Sequence, residues 1–381
     1  MIRNAERTHF SLAALGAGLV SASHPGAQDY GRRLIQRCSI EVIAERTVEF
    51  VRFLIEQKCL AFMPGVRDHF DDPRFAEMWR LCEVLDGVTA IRIDTLGPVF
   101  TLLHSAGVEV MPIKGFDMIY AFPNASGKRF IQDADPLIRP DDLGRAHQIV
   151  LDAGFKQGEI DSSRPNADGT GPYLIPLESR DLDWMLQNHH QAHAYYKFVH
   201  QEWLNEHVAL LERYVPETVP IVDGKPYVSA AFDLHFSIAS GFDESDQWPS
   251  RRVVTLPDGL EYPGLDPEAY LCLYLGRAYS VTQAFHDPHL QTIADAARVT
   301  AASEVDWSRF AELVKKYRLY APAYYGLSQL SAILCDQKRL PDDQVAFFRD
   351  LLDANPDYDL GDFSARFLST VNSTPFADVL G

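Results

Sequence analysis

The sequence predicts an α+β protein: a small mixed β-sheet core between an N-terminal and a C-terminal helical region. Three observations carry this. Apolar residues recur at helical spacing through residues 1–107, short β-type runs and turn signals replace them in the middle third, and helical spacing returns soon after Pro257. The 381 residues divide accordingly into an N-terminal helical region (1–107), an α/β core (108–255) and a C-terminal helical domain (256–381).

In the first region, residues 10–22 (FSLAALGAGLVSA) are apolar. The stretch is too short for a bilayer and too rich in Gly, Ala and Ser, and Glu6 stands between Arg3 and Arg7 ahead of it. A small amphipathic helix is expected there rather than a signal segment. Gly16-Ala17-Gly18 is not a dinucleotide loop, because Ser21 takes the third glycine's place and no strand precedes it. Residues 41–60 place Val42, Ile43, Val48, Val51, Leu54 and Ile55 on one broad helical face. Residues 75–85 and 88–105 read as two further helices, with Gly107 as a C-cap.

The core opens with the β-type run 108–113 (VEVMPI), ending at Lys114-Gly115, and a helical turn over 116–121. Residues 124–128 (NASGK) signal a loop, and 131–138 a second strand carrying two aspartates. Pro140-Asp141-Asp142 starts a helix to about residue 153, closed by Gly154. A polar loop is expected over 156–171, and strands over 173–176, 192–199 and 227–238. In the last region, helices are expected over 267–278, 290–301, 307–317 (N-capped by Asp306), 321–335 and 341–352.

Composition narrows the function. The net charge is 35 − 53 = −18, which repels a phosphate backbone and argues against long nucleic acid as a partner. Five scattered cysteines without a CxxC argue against a disulfide framework and for a reducing cytoplasm, and no stretch reads as a membrane partner.

The chemistry gathers on three acids. Asp133 and Asp135 are two residues apart, so on a strand both carboxylates share one face. Two such groups repel unless a cation lies between them, and an oxygen-rich set of this kind suits Mg²⁺ carrying substrate phosphates. Asp233 sits in a second alternating run, AFDLHF, and on a neighbouring strand it completes a three-carboxylate site able to hold two metal ions. Taken alone, Asp-x-Asp is a common solvated or capping pattern.

Its context is more specific. An apolar strand, Lys114-Gly115, a short helix, Arg129, Asp133 and Asp135 follow in order, then Leu137-Ile138, Pro140-Asp141-Asp142 and Gly154-Phe155. With the later Asp233-Leu234-His235, Asp295 and Asp306-Trp307, this pattern over roughly 90–345 resembles the uncharacterised nucleotidyltransferase family (nucleotidyltransferase family 5) of the DNA polymerase β-like superfamily. The resemblance implies the polymerase β-like fold and transfer of a nucleotidyl group, AMP from ATP, to a hydroxyl or similar acceptor on a small molecule, peptide or protein. It implies two Mg²⁺ ions, with Mn²⁺ as a substitute. It implies metal binding by Asp133, Asp135 and Asp233, deprotonation of the acceptor by Asp233, and triphosphate contacts from Lys114, the Gly115 backbone and Arg129. Two positions depart from the family pattern: Gln132 replaces a glycine and Pro136 an apolar residue. They define the alternative reading, a catalytically inactive polymerase β-like scaffold that binds nucleotide or a protein partner.

His189, His190 and His193 are dense, and His189 and His193 would share a helix face as zinc ligands if their segment were helical. Otherwise they read as acceptor-contacting or packing residues. His235 shares a strand face with Asp233 and is expected to support the metal ligands or relay a proton. Tyr195-Tyr196 and Tyr324-Tyr325 read as core aromatics or stacking platforms, and Asp117 as a solvated residue.

Overall fold

The structure is a computed structural model that describes residues 4–22, 25–122, 129–167, 169–176, 186, 189–239, 241–285 and 290–334. The loop expected at 124–128, the helix at 341–352 and Cys335 lie outside them. The chain forms two compact units. One is built from Met1–Trp79, Phe122–Lys128 and Pro267–Gly381, the other from Arg80–Ala121 and Arg129–Asp266.

The first unit is helical where described. Helix α1 (Asn4–Val20) carries the apolar N-terminal stretch, and from Phe10 to Val20 every residue is buried. It is therefore not the expected amphipathic helix; a helix apolar all round packs on all sides. Its glycines let α2 (Pro25–Gln36) cross it closely: a Cβ on Gly31 would lie 2.6 Å from the Gly16 carbonyl. The single helix expected over 41–60 is two, α3 (Ile40–Ala44) and α4 (Thr47–Glu56), broken at Arg46 with φ −127°. The Thr47 hydroxyl donates to the Ala44 carbonyl there, a local bond that competes with helix continuation. Four helices follow from Pro267: Pro267–Phe285, Leu290–Ala302, Trp307–Lys316 and Tyr320–Leu334. Asp306 caps the third through the Ser308 and Arg309 amides, as expected.

The second unit begins within α5 (Ala76–Ser105), one unbroken helix where two were expected. Gly87, inside it, is the point against which the Trp203 ring packs; a Cβ there would sit 2.7 Å from the indole. The unit holds a five-stranded sheet of order β1-β2-β9-β6-β3. These strands are β1 (Val110–Ile113), β2 (Asp133–Ile138), β3 (Lys156–Gln157), β6 (Tyr195–Val199) and β9 (Val228–Phe232). β2 runs antiparallel to β1 and parallel to β9, which makes the sheet mixed. Alternation along the strands sorts the side chains. Ala134, Ile138, Ala230, Phe232 and Leu234 face one core with Leu96, Val99, Phe100 and Leu103 of α5 and with α7 (Leu143–Asp152). Residues of the opposite parity, Asp133, Asp135, Asp233 and His235, face the other way.

The region expected as a polar loop over 156–171 instead contains β3 and most of a ribbon, β4 (Glu159–Pro165) paired with β5 (Pro172–Ile175). Its polarity reflects exposure of the ribbon rather than lack of structure. Two further ribbons, Ile221–Val222 with Lys225–Pro226 and Arg252–Thr255 with Glu261–Gly264, had no sequence signal.

Candidate functional site

Asp133 and Asp135 enter the site from β2, and Asp233 follows directly on β9. The parallel register pairs Asp133 with Ala231 and Ala134 with Phe232, and it continues past the strand end to a bridge between Leu137 and His235. Asp233 therefore stands opposite Asp135. Its amide donates to the Ala134 carbonyl at 2.8 Å, and the His235 amide to the Pro136 carbonyl at 2.9 Å. Carboxylate oxygens of the three aspartates lie within 4.8 Å of one another, and they are the one such metal-capable group among the described residues.

Pro136 sits inside this arrangement. β2 is an interior strand, where proline is disfavoured because it offers no amide to the ladder. It pairs with Pro112 of the edge strand β1, and the regular pairing with β9 stops at Ala134. The missing donor interrupts the ladder without dispersing the carboxylates.

Lys114 and Gly115 begin helix α6 (Lys114–Tyr120), directly after β1. Gly115 lies beside the start of β2: a Cβ on it would come 3.8 Å from the Asp133 carbonyl. Lys114 has φ +53°, a left-handed conformation that costs a residue with a Cβ about 1–2 kcal/mol. Its Nζ lies 2.6 Å from Oδ1 of Asp135 and 3.1 Å from Nε2 of His235, and that Nε2 lies 3.0 Å from the same Oδ1. Arg129 is half-buried, four residues ahead of Asp133 on the segment entering β2.

The electrostatics of the acids diverge. Burial opposes the charge on Asp135, yet Lys114 and His235 hold its carboxyl well below the usual range. Asp233 is pushed up to about 7 by burial and by the charges of Asp133 and Asp135. Its Oδ1 is buried with no hydrogen-bond partner. A buried carboxylate oxygen left this way is costly unless a proton or cation meets it, so the donor set fits a divalent, oxygen-seeking metal. Burial and Lys114 push His235 downward, toward the neutral imidazole.

The histidine cluster does not behave as a metal site. Residues 189–194 are not helical, so the i, i+4 spacing of His189 and His193 has no shared face to act on. The segment runs beside the strand end instead. The His190 carbonyl accepts from the Phe236 and Ser237 amides, and the His190 ring lies 5.7 Å from that of His235. The His193 carbonyl accepts from Gln157, and His189 is exposed. Tyr195 is core, whereas Tyr196 is half-buried, opposite Ala231, with its hydroxyl held protonated by burial and by Asp233 and Asp133. Asp117 is not solvated: it is fully buried and paired with Arg252 at 3.0 Å.

Sequence reasoning missed Arg92. From α5 it donates to the carbonyls of Ser229 (2.9 Å), Ile131 (2.8 Å) and Thr218 (2.8 Å). Ser229 is on β9 and Ile131 leads into β2, so one guanidinium ties together the strands that carry the acids. Burial pulls it down to about 10, with the Asp133 charge opposing. The weak signal was an arginine on the apolar face of α5, four residues before Leu96.

Residues 89–334 match the family described as uncharacterised nucleotidyltransferase, and this match spans well over half of the chain. The chain belongs to that family and is a nucleotidyltransferase. No curated protein matches it, and no solved structure matches it.

Proposed function

We propose that this family member is a Mg²⁺-dependent nucleotidyltransferase that moves AMP from ATP to a hydroxyl or similar group on a small molecule, peptide or protein, releasing pyrophosphate. The observation that carries the reading is the convergence of three carboxylates within 4.8 Å, one of them with a buried, unpartnered oxygen. Asp133, Asp135 and Asp233 would hold two Mg²⁺ ions, or Mn²⁺ in their place. Bound there, the metal would neutralise triphosphate charge and lower the pKa of the acceptor hydroxyl.

The chain's own residues supply the rest. Lys114, the Gly115 backbone and Arg129 hold the β- and γ-phosphates on the β1 side of the carboxylates. Displacement at phosphorus runs in line, so the acceptor approaches from the opposite side, over β9 and β6. Asp233 lies on that side and accepts the acceptor's proton, from a hydroxyl that the bound metal would acidify. Tyr196 faces the same space and bounds the acceptor, with His190 and His235 behind the carboxylates and His189 and His193 further along the same segment. The negative surface disfavours long nucleic acid as the acceptor. Among the described residues no helix is long and apolar enough to cross a membrane. The scattered cysteines without a CxxC support a cytoplasmic enzyme.

Calorimetry with ATP, with and without Mg²⁺, tests the reading. Mg²⁺-dependent binding that Asp133→Ala/Asp135→Ala loses is the expected result. Absence of any nucleotide binding overturns it. Binding without pyrophosphate release across an acceptor screen favours the inactive scaffold that Gln132 and Pro136 suggest.

A further inference from the structure

We infer that Lys114 is exchanged for metal: in the metal-free site its ammonium serves as the counter-ion of Asp135, and a divalent cation arriving at the carboxylates displaces it toward the nucleotide phosphates. Metal and nucleotide then bind cooperatively. This rests on the nucleotidyltransferase reading and adds a coupling to it.

The geometry sets two cations against one carboxylate. Asp135 is 2% exposed, and a carboxylate so buried needs a counter-charge in contact. It has one now, Lys114 Nζ at 2.6 Å from Oδ1. Yet Asp135 also belongs to the group of three acids within 4.8 Å, and a divalent ion held by that group would stand beside the same carboxylate. An ammonium in contact with Asp135 and a divalent ion bound to it repel each other strongly at such range in a buried site. That repulsion favours departure of the ammonium, because a doubly charged ion with three carboxylate ligands is held more strongly than a single ion pair.

The lysine is built to move. Its ammonium rides on a flexible four-carbon stem, its side chain keeps 19% exposure, and its backbone is fixed at the head of α6 by the end of β1. Nζ can thus relocate while the backbone stays. His235, fully buried, keeps its 3.0 Å contact with Asp135 and holds that carboxylate in place during the exchange. Because the coupling is a free energy, it is reciprocal: phosphates that draw Lys114 away raise metal affinity by the same factor that metal raises nucleotide affinity.

The test is Mn²⁺ binding by the full chain, read from the electron paramagnetic resonance signal of free Mn²⁺, with and without α,β-methylene-ATP. It compares wild type, Lys114→Met, Lys114→Gln and Asp135→Asn, with circular dichroism to verify folding. In wild type the analogue should tighten Mn²⁺ binding about tenfold, within the usual range of site coupling. Lys114→Met should bind Mn²⁺ alone about tenfold more tightly than wild type and lose most of the coupling. Lys114→Gln, which keeps a polar head without charge, carries the same expectation if the methionine variant does not fold. Unchanged or weaker Mn²⁺ affinity in both lysine variants, with Asp135→Asn abolishing binding, overturns the exchange and leaves the metal-dependent reading standing. No Mn²⁺ binding by wild type with or without the analogue overturns both.

Discussion

In the helical unit, Asp295 and Arg298 lie one turn apart on the helix Leu290–Ala302, both side chains 2% exposed and 3.5 Å apart. The guanidinium sits 4.5 Å from the centre of the Phe62 ring and donates to the Ser21 hydroxyl. In the sheet unit, three carboxylates converge, and Lys114 and His235 both meet Asp135. Both units bury charge. The first closes opposite charges on each other inside one helix, which makes a structural pair. The second gathers like charges, whose mutual repulsion a cation from outside would relieve. Arg92 belongs to the second unit and directs its donors to carbonyls, so it fixes the strands, and its charge acts on Asp133 only through space.

Breaking the second cluster should cost function most. Asp135→Ala should lower nucleotidyl transfer about a thousandfold or more, the scale of losing a preorganised electrostatic contact to the transition state, and abolish Mg²⁺-dependent nucleotide binding. Pyrophosphate release and calorimetry read both effects. Breaking the first cluster should cost stability instead. Arg298→Met takes the opposite charge away from buried Asp295, a loss of about 3–5 kcal/mol in urea denaturation, while Asp295→Leu/Arg298→Met should recover most of it. A double variant no better than the single would show that the arginine's packing on Phe62, not its charge, carries the stability.

Arg92→Met sharpens the comparison from the other side. It strands three carbonyls, for a loss of about 2–4 kcal/mol in denaturant melts, and should lower kcat more than it raises the KM for ATP. Arg92→Lys, with one ammonium for three acceptors, should restore only part of either.

The most gradual effect is in pH. Asp233 has its pKa raised to about 7, so between the unfolded value near 4 and 7 the folded chain holds a proton that the unfolded chain has lost. Its stabilising contribution is full below about pH 4 and is lost as pH rises to about 7, at up to about 1.4 kcal/mol per pH unit. Asp135 is shifted the other way, so its contribution is present above about pH 4 and lost only in acid. Thermal melts of metal-free protein should therefore weaken from pH 4 to 7, and Asp233→Asn should flatten that slope. Saturating Mg²⁺ should flatten it too.

Much of the site was legible. Asp133 and Asp135 are adjacent on one strand, so a period of two was enough to place them on one face. His235 followed from Asp233 by the same rule, and the strand-then-helix step at Lys114-Gly115 was visible in the apolar run before it. The histidine cluster misled because its zinc reading needed a helix, and pairing of that segment with the end of β9 set its conformation instead. Asp117 looked solvated because Arg252, its partner, is 135 residues away. The polar residues 156–171 looked like a loop because an exposed two-stranded ribbon has no buried face to announce it.

The sequence by itself determined the α+β class, the three acids and the family pattern, because each rests on short-range periodicity or motif order. Tertiary structure decided which charges meet. The parallel register of β2 with β9 puts Asp233 opposite Asp135, the left-handed backbone of Lys114 heads the helix from which its ammonium reaches that carboxylate, and Arg92 reaches three carbonyls from separate segments. Such contacts join residues far apart in the chain, and their energies depend on burial and distance, which no local pattern encodes.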